Sequence, residues 1–148
     1  MGQAHRLFDT EDTKRFLLAG NARVTLVSKK TGARFTYRVR QSKDKRVHFV
    51  SLLTGSDNES SYTYMGMLRE GKFAQTAKSP IEGTAPSVKA FFWFHDNLFI
   101  ENRIVDTLEV WHEGKCGRCN RSLTVPESIL NGIGPECMKF VCQGVLPL

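Results

Sequence analysis

The sequence predicts an α+β fold, an antiparallel β-meander packed against helices, followed by a small treble-clef or ribbon-like zinc module. Three observations predict it. Residues 22–74 hold β-branched and aromatic runs that alternate with polar residues and are cut by short turns. A strongly apolar stretch with helical spacing follows at 86–99. All four cysteines, Cys116, Cys119, Cys137 and Cys142, lie within the last 33 of 148 residues. The predicted organisation is a basic α+β domain over 1–106 and a zinc-binding module over 107–148.

The elements follow in order. Asp9-Thr10-Glu11-Asp12 ahead of an apolar run, with Gly20 behind it, predicts a short helix with an acidic first turn and a glycine stop. Ala22–Ser28 and Ala33–Arg40 predict a hairpin around Lys29-Lys30-Thr31-Gly32. The second strand alternates: Phe35, Tyr37 and Val39 share one face, Arg34, Thr36, Arg38 and Arg40 the other. Val47–Leu53 and Tyr62–Met67 predict two more strands, joined by a polar loop containing Ser56-Asp57-Asn58-Glu59, and a fifth is expected around Phe73. Ala85-Pro86-Ser87 opens a helix through Phe99, whose stripe of Val88, Phe91, Phe92, Leu98 and Phe99 predicts packing against a sheet. Leu108–Trp111 is a short strand leading into the cysteines.

Apolar content of 41% and charged content of 24% belong to a globular chain. There is no run of 18 apolar residues to span a membrane and no apolar core of a secretory signal at the amino terminus. A cytoplasmic location with reduced thiols is therefore expected, which favours metal over disulfide. The net charge of +6 is uneven: residues 1–50 hold twelve of the 21 Lys and Arg but only four of the 15 Asp and Glu. A basic surface attracts polyanions through counterion release. Lysines and arginines also serve as a solubilising face, and composition alone does not separate the two.

Cys116-Gly-Arg-Cys119 has knuckle spacing: two thiolates on one tight turn can face a single ion. Thr124-Val-Pro-Glu127 predicts a capping box and a helix to about Leu130. Gly132-Ile-Gly134 ends it, and Pro135 starts another helix with Cys137 in its first turn, where backbone N–H groups stabilise a thiolate. A structural zinc wants a fourth ligand. Cys142 is five residues past Cys137, off the same helical face unless the helix ends first. His112 stands just before the knuckle, and geometry favours it. The expected zinc ligands are His112, Cys116, Cys119 and Cys137. A redox Cys-x-x-Cys fits poorly, because no strand-then-helix surrounds it. A catalytic zinc would need an open position and a base, and Glu113 and Glu136 read more simply as surface charges.

The segments Val110–Cys119, Leu123–Ile129 and Gly132–Cys137, with Ala19–Ser28, Thr31–Val39 and Leu53–Ser60 upstream, resemble an uncharacterised family of small phage and prophage proteins. These end in a Cys-Gly-Arg-Cys…Gly-Ile-Gly-Pro-x-Cys zinc-binding segment. The resemblance implies a histidine before the knuckle and does not require the last cysteine, and it implies the cytoplasm of a phage host as location. It implies no reaction. Asn120 departs from the family's usual residue there, and asparagine tolerates the left-handed conformation a knuckle needs.

Three functions compete. A nucleic-acid-binding protein, DNA before RNA, would use Arg34, Arg38 and Arg40 on one strand face. Lys29 and Lys30 stand in one flanking turn, and Lys43, Lys45 and Arg46 in the other. A phage modulator of a host nuclease, polymerase or defence complex would use the same face, or the acidic loop, against a protein. A metal hydrolase would gather carboxylates or histidines, yet His5, His48, His95 and His112 are scattered and form no ligand motif. The sequence reading is therefore a non-enzymatic, zinc-containing protein that binds nucleic acid, with a host-protein partner as the alternative. It expects chelation, or Cys116→Ser, to loosen the C-terminal module while the meander stays folded; circular dichroism of the treated protein checks this.

Overall fold

The structure is a computed structural model and describes residues 5–55, 61–69, 71–123 and 126–139. Among them, a seven-stranded antiparallel sheet carries three helices, an α+β architecture. None of these helices is long and apolar enough to cross a membrane. The acidic loop at Ser56–Glu59, the capping residue Thr124 and the contested ligand Cys142 lie outside the described residues.

Five strands form the expected meander: β2 (Asn21–Ser28), β3 (Arg34–Gln41), β4 (Val47–Leu53), β5 (Tyr62–Arg69) and β6 (Lys72–Ala74). Gly32, at φ +76°, closes the first hairpin by donating to Ser28 O at 2.8 Å. The alternation read in β3 holds, with Tyr37 and Val39 fully buried and Arg34 and Arg40 exposed.

Two short strands complete the sheet in a way no local pattern announces. β1 (His5–Leu7) pairs with β7 (Leu108–His112), and β7 pairs on its other side with β2, giving the order β1-β7-β2-β3-β4-β5-β6. The strand expected to lead into a separate module is thus a member of the main sheet. Residues on both sides of position 106 share one set of backbone hydrogen bonds.

One face of the sheet is covered. Helix α2 (Pro86–His95) lies on it: Tyr37 OH donates to Ser87 O at 2.6 Å, and Phe91 packs its ring 4.9 Å from Tyr37 and 4.8 Å from Phe73. The expected helix through Phe99 changes pitch on the way. Asp96–Ile100 is a π-turn, marked by Glu101 N donating to Asp96 O at 3.1 Å. Helix α1 (Thr10–Leu17) begins as expected, with Asp9 accepting from Asp12 N at 2.9 Å and Glu11 and Asp12 in its first turn. It buries Phe16 and Leu17. Helix α3 (Pro126–Asn131) and a further helical turn over 135–139 close the chain's described part.

Phe16 is where α1 meets the C-terminal segment. A side-chain carbon added at Gly117 would stand 2.7 Å from its ring, and one added at Gly132 would stand 2.5 Å away. Both glycines are needed for that approach, and Gly132 is also held at φ +79°. Gly117 N donates to Gly132 O, and Asn21 N donates to Gly117 O, at 2.8 and 2.7 Å. The Phe16 ring thus fills a slot between two loops already tied to each other and to β2. Emptying it should be costly. Phe16→Ala is expected to lower unfolding free energy by about 3–5 kcal/mol. Gly117→Ala should lower it by about 1–3 kcal/mol through overpacking. Urea denaturation checks both, and losses below about 1 kcal/mol would show the slot to be soft.

Candidate functional site

The C-terminal segment brings three of the expected ligands together. The sulfurs of Cys116, Cys119 and Cys137 lie within 4.8 Å of one another. Tetrahedral thiolates around one zinc-sized ion stand about 3.8 Å apart, given metal–sulfur bonds of about 2.3 Å, so small side-chain adjustments suffice. Backbone geometry accounts for the cluster. Residues Lys115 and Ser122 form a β-bridge that closes the Cys-x-x-Cys loop, and Cys116 N donates to Arg121 O at 2.8 Å. Asn120 takes the left-handed turn at φ 66°. Cys137 comes from the helical turn over 135–139 and is buried, as is Cys116, whereas Cys119 is exposed.

The thiols differ electrostatically. Burial pushes Cys116 up, but hydrogen bonds to its sulfur from backbone N–H groups of Cys119, Gly134 and Arg118, and from the Cys119 side chain, outweigh burial and hold it below the usual thiol range. Two of these donors stand at 3.4 Å (Arg118 N) and 3.3 Å (Gly134 N). Cys137 is pushed up to about 11, first by burial and then by the neighbouring sulfurs, against the Arg118 guanidinium at 3.5 Å. Three adjacent thiolates repel one another, and a divalent cation among them removes that penalty. The thiols border a hollow of about 330 Å3 that Arg118, Arg121, Ser122, Ser128 and Glu136 also line.

His112 does not join them. The expectation that it swings back to the metal fails for two reasons. Strand alternation in β7 turns its ring to the covered face, where it is 1% exposed and packs 5.6 Å from the Phe16 ring. Both ring nitrogens are then occupied: Nδ1 accepts from Gly114 N at 3.0 Å, and Nε2 stands 2.6 Å from Ile129 O, to which it donates. That pattern fixes one neutral tautomer. Burial pushes its pKa down, the Ile129 bond opposes this, and His5 adds to the lowering. His112 therefore bridges β7 to α3.

The basic residues fall along one line. Arg34, Arg38 and Arg40 stand on the face of β3 opposite the helices. Lys29 and Lys30 lie in the turn before β3, and Lys43, Lys45 and Arg46 lie in the turn after it. The two turns are thus separated by the length of an eight-residue strand, about 25 Å. Arg46 stands 3.9 Å from Asp44.

The register adds residues that the sequence reading passed over. On β2, Arg23 lies directly opposite Arg38, and Asn21 opposite Arg40. Arg6 on β1 lies opposite Trp111 on β7, and Arg69 on β5 opposite Lys72 on β6. By the same pairing this outer face carries Phe49 on β4 and Tyr62 and Tyr64 on β5. Seven cationic side chains thus share the face within the strands, six of them exposed or half-buried and Arg23 buried, against the carboxylate of Glu109, with Glu113 following just past β7. Alternation in β2 and β4 could have placed Arg23 and Phe49 on this side. Which rows they join depends on pairings that sequence does not specify. The three helices all contact the other face: α1 through Phe16, α2 through Phe91, α3 through the Ile129 carbonyl on His112.

Residues 107–139 match a family of unknown function, DUF6011. The match covers β7, the knuckle and Cys137, so the resemblance to an uncharacterised family rests on the cysteine segment. Searches of curated proteins and of solved structures found no match.

Two outcomes follow. Cys116→Ser, Cys119→Ser and Cys137→Ser should each lower metal content well below that of the unaltered chain, whereas His112→Gln should leave it unchanged while costing about 1–3 kcal/mol of stability. Elemental analysis with urea denaturation checks this pair. His112 and His48 both have depressed pKa values, in each case chiefly through burial. Their unfolded forms bind protons more readily than their folded ones, so their contribution is complete above the ordinary histidine value of 6.5 and is lost as pH falls below it. Melting temperature should drop between pH 7 and pH 5, and His112→Gln should flatten part of that drop.

Proposed function

We propose that the protein binds DNA through the outer face of its sheet, and that its three clustered cysteines hold one structural zinc ion. The observation that carries this reading is the six-to-one excess of exposed or half-buried cationic over carboxylate side chains within the strands of a face on which no described helix packs. A concave or flat surface of one sign focuses field lines and raises the local concentration of a polyanion. Arg34, Arg38 and Arg40, with Thr36 between the first two, line one face of β3 along which a phosphate backbone can run, and Lys29, Lys30, Lys43 and Lys45 extend the positive line past both ends of β3. Such contacts position a backbone without reading sequence, so weak sequence preference and strong salt dependence are expected.

The all-sulfur donor set supports zinc among the divalent ions. A closed knuckle plus a ligand at a helix start is the arrangement of ribbon and treble-clef zinc sites. Cys116, Cys119 and Cys137 would hold the ion, which would brace the loops around Phe16 rather than react. With His112 engaged elsewhere, Cys142 or solvent is left to complete the coordination. The role is binding, not catalysis. The resemblance of the cysteine segment to phage proteins favours the cytoplasm of an infected cell as its setting.

Titration of mixed-sequence DNA across a salt series tests the reading. Affinity should fall steeply with salt, and Arg34→Ala, Arg38→Ala and Arg40→Ala together should reduce the slope of log K against log salt by about 2–3. Absence of binding at low salt would overturn it, and a host-protein partner would then be the reading to pursue.

A further inference from the structure

The outer face carries aromatic rings between its cations, and these say which form of DNA it suits. We propose, resting on the reading above, that the ligand is single-stranded. Its bases would stack on Trp111 and on the Phe49–Tyr64 pair, while its phosphates meet the arginines of β3.

Two stacking stations flank a cationic centre. Trp111 stands on β7 between Arg6 and Thr25 and is half-buried. Its indole N–H donates to Glu109 at 3.0 Å, which pins the ring's edge. Phe49 stands on β4 opposite Arg40, 38% exposed, with Tyr64 edge-on at 6.2 Å. Strands β2 and β3 separate the two stations, which are also offset by four residues along the strands, so they lie about 20 Å apart. Between them, β3 presents half-buried Arg38 and exposed Arg40, while Arg23, opposite Arg38 on β2, is buried. Arg38 is aimed by Tyr62, whose ring lies 4.7 Å beneath its guanidinium. Tyr62 is thus a positioning residue rather than a third station.

Duplex DNA uses this surface poorly. Its base faces are hidden in the stack, so Trp111 and Phe49 would meet only sugar and phosphate. Groove reading requires a projecting helix or ribbon, and the described helices lie on the opposite face. A single strand exposes π-faces of every base to rings at sheet level, which gives tight but sequence-tolerant binding.

The test uses the full chain with oligo-dT and with the same oligomer paired to oligo-dA. The chain has two tryptophans, so Trp93→Phe leaves Trp111 as sole reporter. Oligo-dT should quench Trp111 fluorescence and bind about tenfold or more tighter than the duplex. Trp111→Ala and Phe49→Ala should each weaken oligo-dT binding by about tenfold while leaving duplex binding unchanged. Trp111→Leu and Phe49→Leu, which keep apolar bulk without a ring, should show the same loss and guard against misfolding. Equal affinity for both forms, with no effect of removing the rings, would overturn the single-strand proposal and leave the electrostatic reading standing. Binding to neither form at low salt would overturn both.

Discussion

The ring of Phe16 fits between Gly117 and Gly132, which come from opposite sides of the cysteine segment. Neither glycine could carry a side chain there without displacing the ring. The contact joins three things that sequence separates widely: helix α1, the loop bearing Cys116, and the turn between α3 and the helical turn bearing Cys137. His112 reinforces the joint from the sheet side, stacking near Phe16 and bonding to Gly114 and Ile129. The thiol cluster is therefore set on the edge of the main core and shares its packing.

Strand β7 carries the consequence to the surface. Its successive residues point to opposite faces. His112 turns inward to the Phe16 joint, Trp111 turns outward to the cationic face, and the first cysteine follows four residues after His112. The loop bearing Cys116 thus follows directly on the strand in which Trp111 lines up with Arg6 and Thr25. On the proposed reading, a metal held by these cysteines would brace the strand that presents Trp111 to the cationic face. The DUF6011 match spans these same residues, β7 through Cys137.

Local pattern was enough for the elements whose partners are close in sequence. The β2–β3 hairpin, the inward Tyr37 and Val39, the apolar α2 and the acid-led α1 all follow from alternation, turn residues and caps. Local pattern failed where the partner is distant. Three residues, His5–Leu7, give no strand signal alone, and their pairing with β7 spans more than a hundred residues. The cysteines announced themselves by spacing. His112 misled because closeness in sequence to Cys116 suggested closeness in space, whereas strand alternation sent its ring the other way. Likewise the arginines of β3 were legible as a row, but the aromatics beside them belong to β4, β5 and β7, and only cross-strand register brings them together.

The claim that Phe16 couples the thiol centre to the sheet is tested most directly by amide hydrogen exchange on metal-loaded protein before and after chelation. Protection should fall at the cysteine loops and also in α1 and at the β1–β7 pairing, while β3, β4 and β5 stay protected. Loss confined to residues 114–139, with α1 and β1 unchanged, would contradict the account.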